Sequence, residues 1–368
     1  ALGIATPVAV SAGLALAARR GVVVRAAPVL ERVADAARVA FDKTGTLTDG
    51  TPRLVEVRVA ADAACDERTL LARVAALESG LAHPLARACV AAAGERGCPA
   101  LVAREVRVVP GRGVRGRVAG QELFVGEPEP AERRAALDAL GIDGGTAGDT
   151  LALVRSGDRV LAALRFAERL RDGARAAVRE LRALGVRASV LSGDRSVSAL
   201  VPTLVDPSEV ACGLLPEDKV ARIRALRGEL RRGESMLMVG DGINDAPALA
   251  AADVGIAVAD ATDLARLTAD VVVLGGDPAA VAWLVRHARA VRRVARQNLA
   301  WAFAYNGAAV ALAVAGALTP LVAALAMLAS SFAVLANARR LGRVGGRARR
   351  SPTTEPGEGA GAASRAAA

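Results

Sequence analysis

Lysine is almost missing from this chain. Lysine and arginine together number 48, yet among the 368 residues lysine stands only at Lys43 and Lys219. Wherever a generic positive charge would serve, the sequence writes arginine. Each surviving lysine therefore points to a task for a compact, flexible ammonium, such as gripping a phosphoryl oxygen. Aromatic residues are scarce too, at 2%. The four cysteines (Cys65, Cys89, Cys98, Cys212) make no Cys-x-x-Cys pair, which fits reduced thiols in a cytosolic domain. The opening "ALGIATPVAVSAGLALA" has neither a basic start nor an initiator methionine, so it is not read as a signal peptide. It reads as the end of a membrane helix whose beginning lies outside the chain.

Apolar residues are abundant, at 53%, and the mean hydropathy is +0.33. The length suits two or three domains. Leu299 to Leu318 is uncharged, and Leu321 to Ala336 follows after Thr319-Pro320. Each is near the length that crosses a bilayer, so the pair reads as a transmembrane hairpin. A buried helical hairpin in a soluble domain is the plainer alternative, since the second window is slightly short. Arg19, Arg20 and Arg25 follow the first apolar stretch. Arg286, Arg289, Arg292, Arg293 and Arg296 precede the hairpin, and Arg339, Arg340 and Arg343 follow it. All three clusters should face the cytoplasm, which places residues 19 to 297 there. Much of the +10 net charge is then juxtamembrane and suited to anionic lipid, and no nucleic-acid module is needed to explain it. The stretch 342–368 is rich in Gly, Ala, Arg and Pro, and is expected to be a disordered tail.

Short β-like runs alternate with amphipathic helical stretches from Arg38 to Leu54 and again from about Leu161 to Leu274. Such alternation predicts a parallel sheet with helices on both faces and chemistry at the carboxyl ends of the strands. Asp42, Asp194 and Asp241 each stand at such an end. The middle block, with two helical runs before glycine-punctuated strands, reads as an α+β insertion.

A buried aspartate at a strand end can attack a phosphoryl group if a divalent cation neutralises the incoming charge. Asp42 in "FDKTGTLT" is the candidate nucleophile. Asp241 in "VGDGINDAPAL" supplies a second carboxylate to Mg²⁺. Ser192 in "LSGD" can hydrogen-bond the phosphoryl group, and Lys219 in "LLPEDK" can neutralise it.

"DKTGTLT", "SGD", "PEDK" and "GDGINDAPAL", in this order, resemble the P-type ATPases, whose phosphorylation domain belongs to the haloacid-dehalogenase superfamily. The resemblance covers residues 1 to about 341. It implies an α/β fold: a haloacid-dehalogenase-like parallel-sheet phosphorylation domain with an inserted α+β nucleotide-binding domain, plus transmembrane helices. The implied boundaries are 1–18 (end of a transmembrane helix), 19–54 and 161–282 (phosphorylation domain), and 55–160 (nucleotide-binding domain). Residues 283–297 would be a cytoplasmic juxtamembrane helix and 298–341 the transmembrane hairpin. The catalytic set carried over is Asp42, Lys43, Thr44, Ser192, Gly193, Asp194, Lys219, Asp241, Asn244 and Asp245, with Mg²⁺ on Asp42, Thr44 and Asp241.

Thr44 also separates two activities. Phosphatases of that superfamily carry a general acid–base aspartate at this position, and a threonine should let an aspartyl phosphate persist. "GRGVRG" does not open a helix, so it is no dinucleotide fingerprint. It resembles the glycine loop of the heavy-metal pumps' nucleotide-binding domain, with Gly111 and Gly113 near adenine. "SGLAHPLA" resembles their His-Pro motif, with His83 on adenine, although His before Pro is ordinarily a helix-start residue. Two departures are Ala82, where the family usually has Glu, and Glu168, where it has Asp. Tyr305-Asn306 and Met327 to Ser331 resemble the Cu⁺ subgroup, and a thioether suits that soft ion. Tyr305, Asn306, Met327 and Ser331 are therefore the expected ligands for transported Cu⁺, with Ag⁺ as its soft analogue. The resemblance further implies ATP, a cell-membrane location with cytoplasmic catalytic domains, an N-terminal half beyond this chain, and copper delivered by a chaperone or glutathione. A membrane-tethered phosphatase and a non-catalytic nucleotide-binding protein are the rival readings.

Overall fold

The computed structural model describes residues 2–129, five positions from 132 to 140, 150–194, 201–241, 245–259 and 269–344. The chain divides into two compact units, residues 17–292 and residues 1–16 with 293–368.

The larger unit is built on two sheets. The first contains β1 (Val22–Val24), β2 (Ala36–Asp42), β9 (Arg187–Leu191), β10 (Val210–Ala211), β11 (Ser235–Gly240), β12 (Val254–Ala259) and β13 (Val271–Leu274). Their order is β1-β13-β12-β11-β2-β9-β10, parallel throughout except for β1 against β13. "AARVAF" and "SMLMV" are unbroken apolar runs because the central strands of a helix-covered parallel sheet are buried on both faces. Helices Ala174–Ala183, Pro216–Gly228 and Ala246–Ala251 intervene between its strands. Gly185, at φ +74°, ends the first of them in the left-handed conformation. Ile223, Leu226, Met236, Met238 and Leu249 form the core on one face.

The second sheet comprises β3 (Thr48–Val59), β4 (Ala103–Val109), β5 (Gly113–Val118), β6 (Gln121–Gly126), β7 (Thr150–Ser156) and β8 (Arg159–Leu170). It is antiparallel in the order β3-β8-β7-β6-β5-β4. Helices Glu67–Glu78 and Pro84–Glu95 close over it around Leu70, Leu71, Leu77, Cys89, Leu164 and Phe166. This is the expected α+β insertion, with wider limits than 55–160. The β3–β8 ladder runs from Val59↔Ala162 to Thr48↔Leu170, so the second sheet begins at Thr48, directly after the turn that follows Asp42. A boundary drawn from composition does not see a hydrogen-bond ladder.

The expected juxtamembrane helix 283–297 and the first part of the expected hairpin are continuous. Ala279–Val314 is one helix of 36 residues, since neither Gly nor Pro interrupts 279–306. Pro320–Arg339 follows, and among the described residues it is the one helix long and apolar enough to cross a membrane by itself. Leu2–Arg19 is helical with a shorter apolar part, Thr6–Arg19. Leu341–Val344 is helical too, so the start of the expected tail at 342 is corrected; residues from 345 on lie outside the described set.

One more expectation changes. Arg286, Arg289 and Arg292 are engaged by protein rather than presented to lipid. Arg286 pairs with Glu180 and Arg292 with Asp35. The Arg289 guanidinium donates to the carbonyls of Leu184 (2.6 Å), Ala36 (2.9 Å) and Ala34 (3.3 Å). Ala34 and Leu184 terminate helices, whose last carbonyls lack intrahelical partners and attract a cation.

Candidate active site

Asp42 ends β2 in the middle of the parallel sheet and is 5% exposed. On one side β9 leads to Ser192, Gly193 and Asp194; on the other β11 leads to Asp241. Lys219, in the first turn of helix Pro216–Gly228, reaches across. Its Nζ donates to Asp42 Oδ1 at 2.6 Å and to Asp245 Oδ1 at 2.8 Å. Asp245 is 2% exposed and precedes helix Ala246–Ala251. Gly240 leaves room for it, because a Cβ there would lie 2.8 Å from Asp245 Oδ2.

Burial, with Asp245 and then Asp241 as neighbouring charges, pushes the Asp42 carboxyl up to about 7, against the opposing pull of Lys219. Burial draws Lys219 down, but its bonds to Asp245 and Asp42 outweigh this and hold it above its ordinary value. The site thus carries more negative charge than its ammonium offsets. Crowded hard oxygens suit Mg²⁺, which takes one or two carboxylates and completes its shell with water and phosphate oxygens. Among the described residues no group of three or more His, Cys, Asp or Glu side chains forms a candidate metal site.

The other lysine lies elsewhere in the site. Lys43, 4% exposed, pairs with Asp194 and lies 3.4 Å from Glu168 Oε2. It makes no ion pair with Asp42, so the two lysines hold different carboxylates, Lys219 those of Asp42 and Asp245 and Lys43 those of Asp194 and Glu168. Glu168 also accepts from Thr48 Oγ1 at 2.6 Å, so the glutamate in the aspartate's place ties the turn after Asp42 to the end of β8. In that turn, Lys43–Leu47, Gly45 adopts φ +74°, a conformation that suits glycine. Arg171 pins it, donating to the carbonyls of Gly45 and Thr48 at 3.0 Å each. Sequence reasoning missed Arg171, although the "ERLR" spacing beside Glu168 carried the signal. Thr46 is fully buried, and among the described residues its Oγ1 has no hydrogen-bond partner.

Ser192 is 1% exposed, and its Oγ accepts from the Asp194 amide at 3.1 Å. Gly193 is exposed beside it. Asn244 lies outside the described residues. A cleft of about 320 Å³ opens beside the turn, lined in part by Asp49, Arg169, Arg171, Asp172 and Asp277. Three carboxylates against two guanidiniums do not favour an anion there.

In the insertion, His83 is exposed and caps helix Pro84–Glu95, its Nδ1 accepting from the Leu85 amide at 3.3 Å. The helix-start role is therefore realised, and Nε2 remains available. Gly111 lies at φ +68° between β4 and β5. Gly113 permits close strand approach, since a Cβ there would lie 2.1 Å from the Val125 carbonyl oxygen. Glu78, five residues before His83, was not singled out from sequence. It is 9% exposed, and burial raises its carboxyl to about 7.

In the smaller unit, Ser331 Oγ donates to the Met327 carbonyl at 3.0 Å, and Met327 is 56% exposed. Among the described residues neither hydrogen-bonds to Tyr305 or Asn306, which are half-buried on the preceding helix. Ser330 is 2% exposed, and among the described residues its hydroxyl has no hydrogen-bond partner.

Residues 37–253 match the haloacid dehalogenase-like hydrolase family. The chain is 38% identical over 351 residues to the probable copper-exporting P-type ATPase V of Mycobacterium tuberculosis, covering 94% of this chain and 45% of that protein. It is also 38% identical over 357 residues to copper-transporting ATPase 2 of Rhizobium meliloti, covering 93% and 42%. The chain thus spans less than half the length of these curated relatives. Among solved structures, a zinc-transporting PIB-type ATPase in its E2.Pi state superposes with TM-score 0.81 at 36% identity, over 92% of this chain and 55% of that one. The catalytic domain of the CPx-ATPase CopB-B gives 0.59 at 26% identity, over 74% and 98%.

Proposed function

This chain belongs to the haloacid dehalogenase-like hydrolase family, and on that footing we propose that it carries the catalytic domains and last membrane helices of an ATP-driven heavy-metal pump. The observation that carries the reading is the Lys219 bridge between Asp42 and Asp245 at the end of the central strand. A carboxylate oxygen of Asp42 attacks the γ-phosphorus of ATP. The bond to the β,γ-bridging oxygen breaks, and ADP leaves with its electron pair. Lys219 offsets charge on the transferring group, and Ser192 donates a hydrogen bond to it. Asp42, Thr44 and Asp241 would hold Mg²⁺, which would supply further neutralisation when bound. Lys43, Gly193 and Asp194 shape the surrounding loops, the family resemblance adds Asn244 to the catalytic set, and His83, Gly111 and Gly113 receive the adenine. Thr44 offers no carboxylate base, which favours a lasting aspartyl phosphate over the rapid hydrolysis of a phosphatase.

The proposed cargo is Cu⁺, in keeping with the copper-exporting relatives and with the thioether of Met327. Tyr305, Asn306 and Ser331 would complete its site with groups from the rest of the pump, in a cell membrane with the catalytic domains in the cytoplasm. A copper chaperone or glutathione would deliver the ion. The chain incubated with γ-labelled ATP and Mg²⁺ should form an acid-stable, hydroxylamine-labile phosphoprotein, absent in Asp42→Asn. Undiminished labelling of that variant would overturn the assignment. For the cargo, Met327→Ala should weaken Cu⁺ binding and leave ATP binding intact; unchanged Cu⁺ binding would remove copper from the reading.

A further inference from the structure

In the smaller unit, helices Ala279–Val314 and Pro320–Arg339 run antiparallel, since a short turn, residues 315–319, joins them. Asn337 Nδ2 on the second donates to Asn298 Oδ1 on the first at 2.9 Å. This bond fixes their register. Seven residues make about two turns of helix, roughly 10 Å, so the residue seven positions from each asparagine lies on the same side of its helix. From Asn298 that residue is Tyr305; counting back from Asn337, it is Ser330. Tyr305 and Ser330 therefore stand at one depth on the facing sides of the two helices. Burial follows the same seam: Asn298 and Ala302 are buried on the first helix, and Ser330, Val334 and Ala338 on the second.

The two adjacent serines differ in what they do with their hydroxyls. Ser331 donates to the carbonyl four residues back, that of Met327, as serines inside helices commonly do. It is also turned about a third of a turn away from the seam. Ser330 makes no such bond, and among the described residues its buried hydroxyl has no hydrogen-bond partner. A buried hydroxyl without a partner is costly in an apolar interior, and polar groups kept at membrane depth mark ion paths. Tyr305 and Asn306, both half-buried, are the polar side chains across the seam from it.

We infer that Ser330, rather than Ser331, is the hydroxyl that helix Pro320–Arg339 gives to the cargo site, where it meets Tyr305 across the seam. A hydroxyl is a hard donor and holds Cu⁺ weakly by itself. Ser330 is therefore a positioning residue: it hydrogen-bonds the Tyr305 phenol and sets that side chain for the ion. The inference rests on the cargo reading above and changes the serine within it.

Tyr305 is the only tyrosine of the chain, so fluorotyrosine labelling gives one fluorine signal, at the seam, whose titration is separate from silver on the cysteines. The whole chain in nanodiscs is titrated with Ag⁺, the redox-stable analogue of Cu⁺. Before any ion is added, Ser330→Ala should move the Tyr305 signal and Ser331→Ala should leave it in place. With Ag⁺, Ser330→Ala should raise the half-saturating concentration about threefold to tenfold, the worth of one hydrogen bond. Ser330→Cys sets a soft thiol at the seam and should lower that concentration by about tenfold or more. Ser331→Ala and Ser331→Cys should leave it unchanged. Ser330→Ala removes only an unpartnered oxygen, so its thermal midpoint should equal or exceed the parent's; a lower one would show a hydroxyl bound into the fold and overturn the inference. The reverse order, with the Ser331 variants shifting the signal and the silver titration and the Ser330 variants shifting neither, would overturn it too and leave copper as the cargo. A Tyr305 signal that silver does not move in the parent would contradict the cargo reading, and this inference with it.

Discussion

Lys219 faces Asp42 at 2.6 Å and Asp245 at 2.8 Å, while Asp241 acts on Asp42 from farther away. Lys219→Gln removes the ammonium that lowers the Asp42 carboxyl. It should cut the rate of Asp42 phosphorylation by about a hundredfold or more, read as initial labelling rate at saturating ATP; a loss below threefold would assign neutralisation elsewhere. Glu78 gives a second prediction, with a definite sign. Its folded value of about 7 stands above the reference 4.5, so the folded chain retains a proton that the unfolded chain has released. The cost is absent below pH 4.5, grows as pH rises through this window and is complete above 7. Glu78→Gln should therefore raise stability relative to the parent at pH 8, by up to about 3 kcal/mol, and leave it alike near pH 4.5. Denaturant midpoints at both pH values decide it, and parallel pH profiles would sink the idea. Asp42 and Lys219 were legible because strand ends and rare lysines stand out. Lys43's partners and Glu78 were not, since pairing across 151 positions and the burial of a helical glutamate leave no local mark.

The helix Ala279–Val314 is held at its start by guanidiniums rather than by apolar packing alone. Arg289 serves the carbonyls of Ala34, Ala36 and Leu184, and Ala36 opens the strand that ends in Asp42. Arg289→Gln should cost about 2–3 kcal/mol, as charged hydrogen bonds to half-buried carbonyls are lost. Amide exchange should quicken around 34–36 and 184–186; protection equal to the parent there would show the clamp to be idle. Strands β2, β9, β11 and β12 were legible from their apolar runs. The extents of β3 and β8 were not, because their exposed faces read as loop. The continuity of Ala279–Val314 was hidden by an abrupt change from arginine-rich to apolar composition, which alters the surroundings of a helix without breaking it.

At the scale of the molecule, the order of four short motifs carried both the fold and the site, since each motif closes a strand or opens a helix at one edge of a single sheet. Which arginines the protein itself engages was legible only from structure, because a charge pattern does not say where its partners fall. The central claim is chemical: Asp42 alone takes the γ-phosphoryl group of ATP. An acyl phosphate is reduced by borohydride to the alcohol, converting a phosphorylated aspartate to homoserine. The chain is phosphorylated with ATP and Mg²⁺, quenched in acid, reduced, digested and sequenced by mass spectrometry. The account predicts homoserine at position 42 and nowhere else. Homoserine at position 241 or 245, or unmodified aspartate at 42 in a chain that has taken up label, would contradict it.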